Sequence, residues 1–331
     1  MHLNRFWLVP LCVLCLSLLV AFPLMVSAAD KPAPVVVGIA TWLGYGPGYI
    51  AQEKGWFGEL PVEFKVMDDW GLREQAFASG KIDIMATTVD TVAISASKGI
   101  KGPIFIVTDE SAGADGIVAT PEIKSGADLK GKKVAYTRSS ISQFFLIHYL
   151  AQSGLSMNHI QRVEVDDPGR AGEAFVAGSV PVAVTWEPMI TQILKTGKGR
   201  VLATTKTVPH LIVDVLQASP QMAAQRKADL QNFTNAWLKA IDFVKTNPKE
   251  AHAIMAKHFK IAENEVPDMV AGIYFTDQKI NRDWLLSPAD SKSKAMKIFE
   301  TASKVWLQEK VIRQPASAKD FFTSEFIENA R

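Results

Sequence analysis

Cysteine is nearly missing from this chain. Cys12 and Cys15 are the only two in 331 residues, and both fall in an apolar N-terminal stretch. If that stretch is removed, the remaining chain has no thiol, which excludes a disulfide frame, a cysteine nucleophile and a thiolate metal site. An excess of one charge is lacking too. Lys and Arg total 36 against 34 Asp and Glu, a net charge of +2, so the basic footprint that a nucleic-acid partner requires is not there. No internal repeat, low-complexity tract or disordered linker interrupts the chain. The Gly-rich run Gly44-Tyr45-Gly46-Pro47-Gly48 has neither dinucleotide-loop spacing nor a P-loop lysine; it reads as a shape feature that lets backbone approach a ligand. Catalytic constellations are missing as well. His148 sits in the apolar helical face 144–150, and His252 and His258 fall in C-terminal helices, none beside a nucleophile.

What is present begins with an export signal. Arg5 supplies a positive n-region, residues 6–26 are almost continuously apolar, and Val26-Ser27-Ala28-Ala29 offers the small residues a signal peptidase cuts beside. Cleavage near Ala28 or Ala29 is expected, making 1–29 a signal peptide. The competing reading is a retained anchor, since the run approaches spanning length; Pro10, Pro23 and the small-residue exit favour removal. Leu11 and Leu14 precede the two cysteines where a lipoprotein acceptor prefers a small residue, so lipidation is not expected.

From Val35 onward, short β-rich runs alternate with helical patterns, which predicts an α/β chain built on mostly parallel sheets. Strands are expected over 35–39, 62–66, 84–87 and 104–108, with helices over 50–54, 72–79 and 89–97 between them. The polar turn 128–133 resets the rhythm. Strands at 134–137, 163–165, 182–185 and 201–204 then alternate with helices at 142–152, 173–176 and 190–194. Residues 211–216 read as a strand returning to the first series. Beyond Pro220 the character is helical, with Leu230, Phe233, Trp237, Ile241 and Val244 at helical spacing in 227–245. Further helices are expected over 248–258, 263–273 and 290–307. Two α/β series joined by two extended crossings imply two lobes with a hinge: a first lobe of 30–115 and 213–331, and a second of 116–212.

In open parallel sheets, ligands bind beyond the carboxyl ends of the strands. Those positions hold Trp42 and Tyr45, then Asp68, Asp69 and Trp70, then Thr88 and Asp90, then Asp109. In the second lobe they hold Arg138, Ser139, Ser140 and Ser142, followed by Trp186 and Glu187, with Asp214 on the return crossing. Indoles beside carboxylates suit a cation, through cation–π attraction and charge pairing. Taken singly, each Trp can equally cover a core edge and each carboxylate cap a helix; the set favours a ligand site. Arg138 with the serines stands where a strand gives way to a helix, a place able to hold an anionic group. If both ends are used the ligand is a zwitterion; otherwise it is an amine or other nitrogen cation.

The segments Trp42-Leu43-Gly44-Tyr45, 50–57, Ala78-Ser79-Gly80-Lys81-Ile82-Asp83 and Leu129-Lys130-Gly131-Lys132-Lys133-Val134 together resemble the substrate-binding proteins of nitrate, sulfonate and taurine importers, the NMT1/THI5-like family. The resemblance implies a type II periplasmic-binding-protein fold, a periplasmic location, no cofactor, and docking to an ABC permease in the inner membrane. It also implies that the loop at Trp42, the Thr88 to Asp90 helix start, the serines 139–142 and Trp186-Glu187-Pro188 line the cleft. The protein is expected to act as a monomer. The many carboxylates depart from what nitrate or a simple alkyl sulfonate requires and point to an amine-bearing, taurine-like compound. Two other readings compete: an enzyme of pyrimidine-precursor synthesis, as THI5-type members are, which a secretory signal and the missing cysteine disfavour, and a sensor that presents its ligand to a membrane kinase.

Overall fold

The computed structural model describes His2, residues 33–285 and residues 292–331. Apart from His2, the expected signal segment with Cys12 and Cys15 lies outside the described residues. Val35–Ile39 forms β1, followed by α1 (Gly46–Glu53), β2 (Val62–Val66), α2 (Trp70–Ala78), β3 (Ile84–Thr88), α3 (Val89–Ser97) and β4 (Ile104–Ser111). A second series comprises β5 (Asp115–Ala119), β6 (Lys133–Thr137), α4 (Ile141–Gln152), β7 (Gln161–Val165), α5 (Pro168–Val176), β8 (Val182–Trp186), α6 (Met189–Lys195) and β9 (Arg200–Thr204). β10 (Val213–Ala218) then leads into α7 (Pro220–Gln225), α8 (Lys227–Thr246), α9 (Pro248–Phe259), α10 (Val266–Val270), β11 (Ile273–Phe275), α11 (Gln278–Leu285), α12 (Lys294–Gln308) and α13 (Glu325–Glu328).

The strands form two sheets, in the orders β11-β4-β10-β3-β1-β2 and β7-β6-β8-β5-β9. In the first, β1 runs parallel to β2 and β3, while β10 is antiparallel to both β3 and β4. In the second, β6 is parallel to β7 and β8, and β5 is antiparallel to β8 and β9. Strands β3, β4 and β10 are buried along their whole length, as expected of strands covered on both faces. β2 alternates toward solvent at an edge.

The chain leaves the first sheet over 112–114 and returns over 205–212, and these two crossings are bonded together. Thr205 Oγ1 lies 2.8 Å from Ser111 Oγ and accepts from the Gly113 N–H at 2.9 Å. Gly113 has φ +139°, a conformation that a side chain disfavours. Away from the crossings, Trp186 Nε1 donates to the Thr41 carbonyl at 3.0 Å, Lys195 pairs with Glu265, and Phe144 meets Trp306 with ring centroids 5.4 Å apart. These three contacts join the two lobes away from the crossings.

Most elements fall where periodicity puts them, and the exceptions have physical reasons. The expected helix over 263–273 is instead a turn at Glu263–Glu265, the short α10 and the strand β11; Ile273 and Phe275 are buried and Tyr274 exposed, a strand alternation too short to read from sequence. β5 was not anticipated because its run is brief and lies beside a Gly-rich crossing. The return strand starts at Val213 rather than 211. On α8, Leu230, Phe233, Trp237, Ile241 and Val244 are all buried, and Ser219 caps α7 by accepting from Met222 N at 3.1 Å.

One buried amide ties the C-terminal helices to the first sheet. Asn281 on α11 accepts from Val107 N at 2.8 Å, and its amide donates to the Val107 carbonyl at 2.9 Å. Asn281→Ala would orphan the Val107 N–H in a dry environment and leave the Val107 carbonyl to the Thr276 hydroxyl alone, and a destabilisation of about 1–3 kcal/mol is expected in chemical denaturation. A loss within experimental error of zero would refute this account of how α11 is held.

Candidate functional site

The cavity between the two sheets is lined from both. Its wall holds Ala40, Trp42 and Tyr45 after β1, Asp68, Trp70 and Arg73 around the start of α2, and Thr87, Thr88 and Thr91 at the β3–α3 junction. The second sheet supplies Asp115, Thr137, Ser140, Ile141, Pro168 and Trp186, and the return crossing supplies Ile212 and Asp214. The cavity volume is about 40 Å³, against the roughly 10–15 Å³ that one water requires, so it fits a compact molecule.

Local structure explains each wall residue. Asp214 sits in β10 opposite Thr88 of β3 on one side and Asp109 of β4 on the other. It accepts from the Tyr45 hydroxyl at 2.5 Å, and burial, then the Asp109 charge, push its carboxyl well above the ordinary range. The Tyr45 phenol is likewise raised, by burial and then by Asp214. Asp68 accepts from Thr41 N and Oγ1 at 2.6 and 2.9 Å. Asp115 opens β5 opposite Trp186; burial lifts it to about 7 against the pull of the Ser111 hydroxyl. Thr91 Oγ1 lies 2.9 Å from the Thr88 hydroxyl in a capping box. Ser140 caps α4, donating to the Thr137 carbonyl at 2.7 Å and accepting from Ser142 N at 3.2 Å. Trp42 and Trp186 meet edge to face at 6.4 Å, so the two indoles close one side together.

Of the residues singled out from sequence, Trp42, Tyr45, Asp68, Trp70, Thr88, Ser140, Trp186 and Asp214 line this cavity. The others stand elsewhere, each for a local reason. Asp69 caps α2, accepting from Leu72 N at 3.0 Å. Asp109 lies behind Trp42, accepting its indole N–H at 3.0 Å and the Thr108 hydroxyl at 2.8 Å, and burial raises it to about 7. The pair packs over Gly44, where a Cβ would fall 2.2 Å from Asp109 Oδ2 and 2.2 Å from Trp42 Nε1, so only glycine fits. Asp90 is 2% exposed in the first turn of α3, with neither carboxylate oxygen in a well-formed hydrogen bond, and burial raises it to about 7 despite nearby Thr88 and backbone N–H groups. Arg138 points to solvent and faces Glu164 at 3.7 Å. Ser139 takes a left-handed turn, φ +51°, and its N–H is held by Gln143 at 2.7 Å. Ser142 is buried within α4, its hydroxyl without a partner. Glu187, two residues before α6, accepts from the N–H and hydroxyl of Thr191 in that helix, both at 3.0 Å.

Asp68, just past β2, stands where the strand-end rule looks, whereas Arg73 and Asp115 were passed over. Asp115 is at the amino end of an antiparallel strand, where a rule about carboxyl ends does not look. Arg73 is one turn inside α2, three residues after Trp70, which puts both on one helix face. That i, i+3 spacing is the signal that could have found it.

Comparison with known proteins agrees with this architecture. The family model described as NMT1/THI5 like matches residues 43–251. A Brucella abortus (strain 2308) protein carrying the name of a binding protein is 27% identical over 333 residues, covering 95% of this chain and 97% of its own. The taurine-binding periplasmic protein of Escherichia coli (strain K12) is 24% identical over 316 residues, covering 91% and 95%. Among solved structures, the alkanesulfonate-binding protein SsuA from Xanthomonas axonopodis pv. citri, bound to MOPS, matches with TM-score 0.76 at 17% identity, over 89% of this chain and 99% of that one. The desulfurization enzyme DSZB matches with TM-score 0.63 at 14% identity, over 89% and 98%. The structural likenesses establish the two-lobed type II periplasmic-binding-protein fold, which serves receptors and an enzyme alike.

The buried carboxyls make stability depend on pH. Asp90, Asp109 and Asp115 hold their protons to about 7 in the folded protein, against an ordinary value of 3.8. Between about pH 4 and 7 the unfolded chain has released these protons and the folded one has not, so their contribution falls as pH rises and levels off above 7. Asp90→Asn is expected to flatten this profile and to gain on the order of 1–3 kcal/mol at pH 8. Denaturation midpoints at pH 5 and pH 8 measure it; an identical pH profile in both proteins would contradict it.

Proposed function

This chain belongs to the NMT1/THI5-like family, and from that premise we propose that it is the periplasmic solute-binding component of an ABC importer, capturing a small amine-bearing compound between its lobes. The observation that carries the ligand class is the acid wall. Asp68, Asp115 and Asp214 share one enclosed cavity with Trp42, Trp70, Trp186 and Tyr45. Burial makes Asp115 and Asp214 hold their protons, and they regain their charge when a cation sits beside them, while indole faces add cation–π attraction. A bare anion meets the opposite field.

Transport follows from population shift. A ligand touching both sheets favours the form in which they approach, by no more than its differential affinity for the two forms, and the permease recognises that form. The bonded crossings at Ser111, Gly113 and Thr205 are the natural pivot, and the Trp186 to Thr41 bond and the Lys195–Glu265 pair are the contacts that opening would break. No cysteine stands among residues 33–331, and no cysteine or histidine lines the cavity among the described residues. Both facts favour capture over covalent chemistry on the substrate.

A thermal-shift panel of taurine, alkyl sulfonates, guanidino compounds, pyrimidine amines and nitrate tests this reading. Stabilisation by amine-bearing members and none by nitrate is expected. Asp115→Asn and Asp214→Asn should each weaken the bound amine about 10- to 100-fold. Nitrate or a plain alkyl sulfonate stabilising best, with both variants unaffected, would overturn the ligand class.

A further inference from the structure

Among the described residues that line the cavity, Arg73 is the one cation, set beside acids. The residue is 6% exposed and lines the cavity, yet the protein satisfies little of its guanidinium. Nη1 donates to the Met67 carbonyl, while Nε is buried without an acceptor. Among the described residues it joins no ion pair. Trp70 covers it, with the guanidinium carbon 5.9 Å from the ring centroid, so water has poor access from that side. Burial draws its pKa down while Tyr45, Asp68 and Asp214 push it up, and a guanidinium keeps its charge at any physiological pH.

The neighbouring acids are engaged elsewhere. Asp68 takes two bonds from Thr41, Asp69 caps α2, and Asp214 takes the Tyr45 hydroxyl. Their field steadies the charge on Arg73 without filling its donors. A planar fork of N–H groups, desolvated and aimed into a compact cavity, is matched by an oxyanion bound through two parallel hydrogen bonds. A second polar group lining the cavity, contributed by the other sheet, is in the same state: the Thr137 hydroxyl, 3% exposed, has no partner.

Resting on the amine reading above, we infer that Arg73 is the specificity-determining residue of this cavity and receives a sulfonate or carboxylate group of the ligand, whose amine faces Asp115 and Asp214. The ligand is then a compact zwitterion. A residue serving only to offset the acid wall would instead affect every cation alike, which separates the two roles experimentally.

Calorimetric titration with four probes carries the test: taurine, β-alanine, ethylamine, which lacks the acid group, and ethanesulfonate, which lacks the amine. The native protein is expected to bind taurine or β-alanine at least tenfold more tightly than ethylamine. Arg73→Gln should erase most of that preference, weakening the zwitterion about 30-fold or more while ethylamine changes less than threefold or tightens. Arg73→Lys should restore part of it. Ethylamine binding as tightly as both zwitterions to the native protein, or Arg73→Gln weakening all probes equally, overturns the role of Arg73 and leaves the amine reading standing. Ethanesulfonate binding in place of every amine overturns the amine reading and leaves Arg73 as the oxyanion receptor. Binding of none of the four overturns both. Should Arg73→Gln fail to fold, the comparison of probes on the native protein still decides.

Discussion

The site depends on a single strand pairing: β10 is wedged antiparallel between β3 and β4. That register places Asp214 between Thr88 and Asp109, and everything around them follows. Asp214 holds the Tyr45 hydroxyl and Asp109 holds the Trp42 indole, so two aromatic side chains from the loop after β1 are fixed by two carboxylates of the sheet. Without β10 there would be no second crossing, and Asp109 would lose its cross-strand neighbour. The cost is electrostatic. Burial comes first in raising Asp90, Asp109, Asp115 and Asp214, and neighbouring carboxylates add to it at the last three.

Such a cluster is under tension until something positive arrives. Arg73 is the built-in cation, but its geometry keeps it from pairing directly with any described carboxylate. The protein thus holds both signs in one cavity without letting them neutralise each other. Tyr45 and Thr41 contribute to this separation by occupying the acceptors of Asp214 and Asp68. Under the proposed function, each end of a zwitterion meets the group prepared for it.

How far the sequence reveals this depends on the element. Alternating apolar runs marked β1, β2 and α3 at their observed bounds, because each has a period that stands out from its flanks. The turn at 263–265 and the strand β11 were illegible, since three residues of alternation cannot outweigh a helical background. For the site, residues at the carboxyl ends of parallel strands could be read directly, as Trp42, Trp70, Thr88 and Trp186 were. Asp115 could not, because recognising it requires knowing that β5 runs backwards. Asp90 and Glu187 looked like ligand groups for a different reason: a carboxylate in or just before the first turn of a helix has the same sequence context whether it faces a cleft, the core or its own backbone. Only packing separates those cases.

Charge arrangement also separates this cavity from what the fold alone suggests. One neighbour of the same shape, an alkanesulfonate-binding protein, holds MOPS in its own structure, yet a fold carries its ligand preference only through the side chains that line its cleft. Here three of those side chains are carboxylates and one is a guanidinium held just out of their reach. A simple anion drawn to Arg73 must sit in the field of Asp68 and Asp214, which also raise the pKa of that arginine. An anion tethered to an amine brings its own compensation. The acid wall therefore discriminates through what it repels as much as through what it attracts, because like charges at short range in a poorly solvated site are costly.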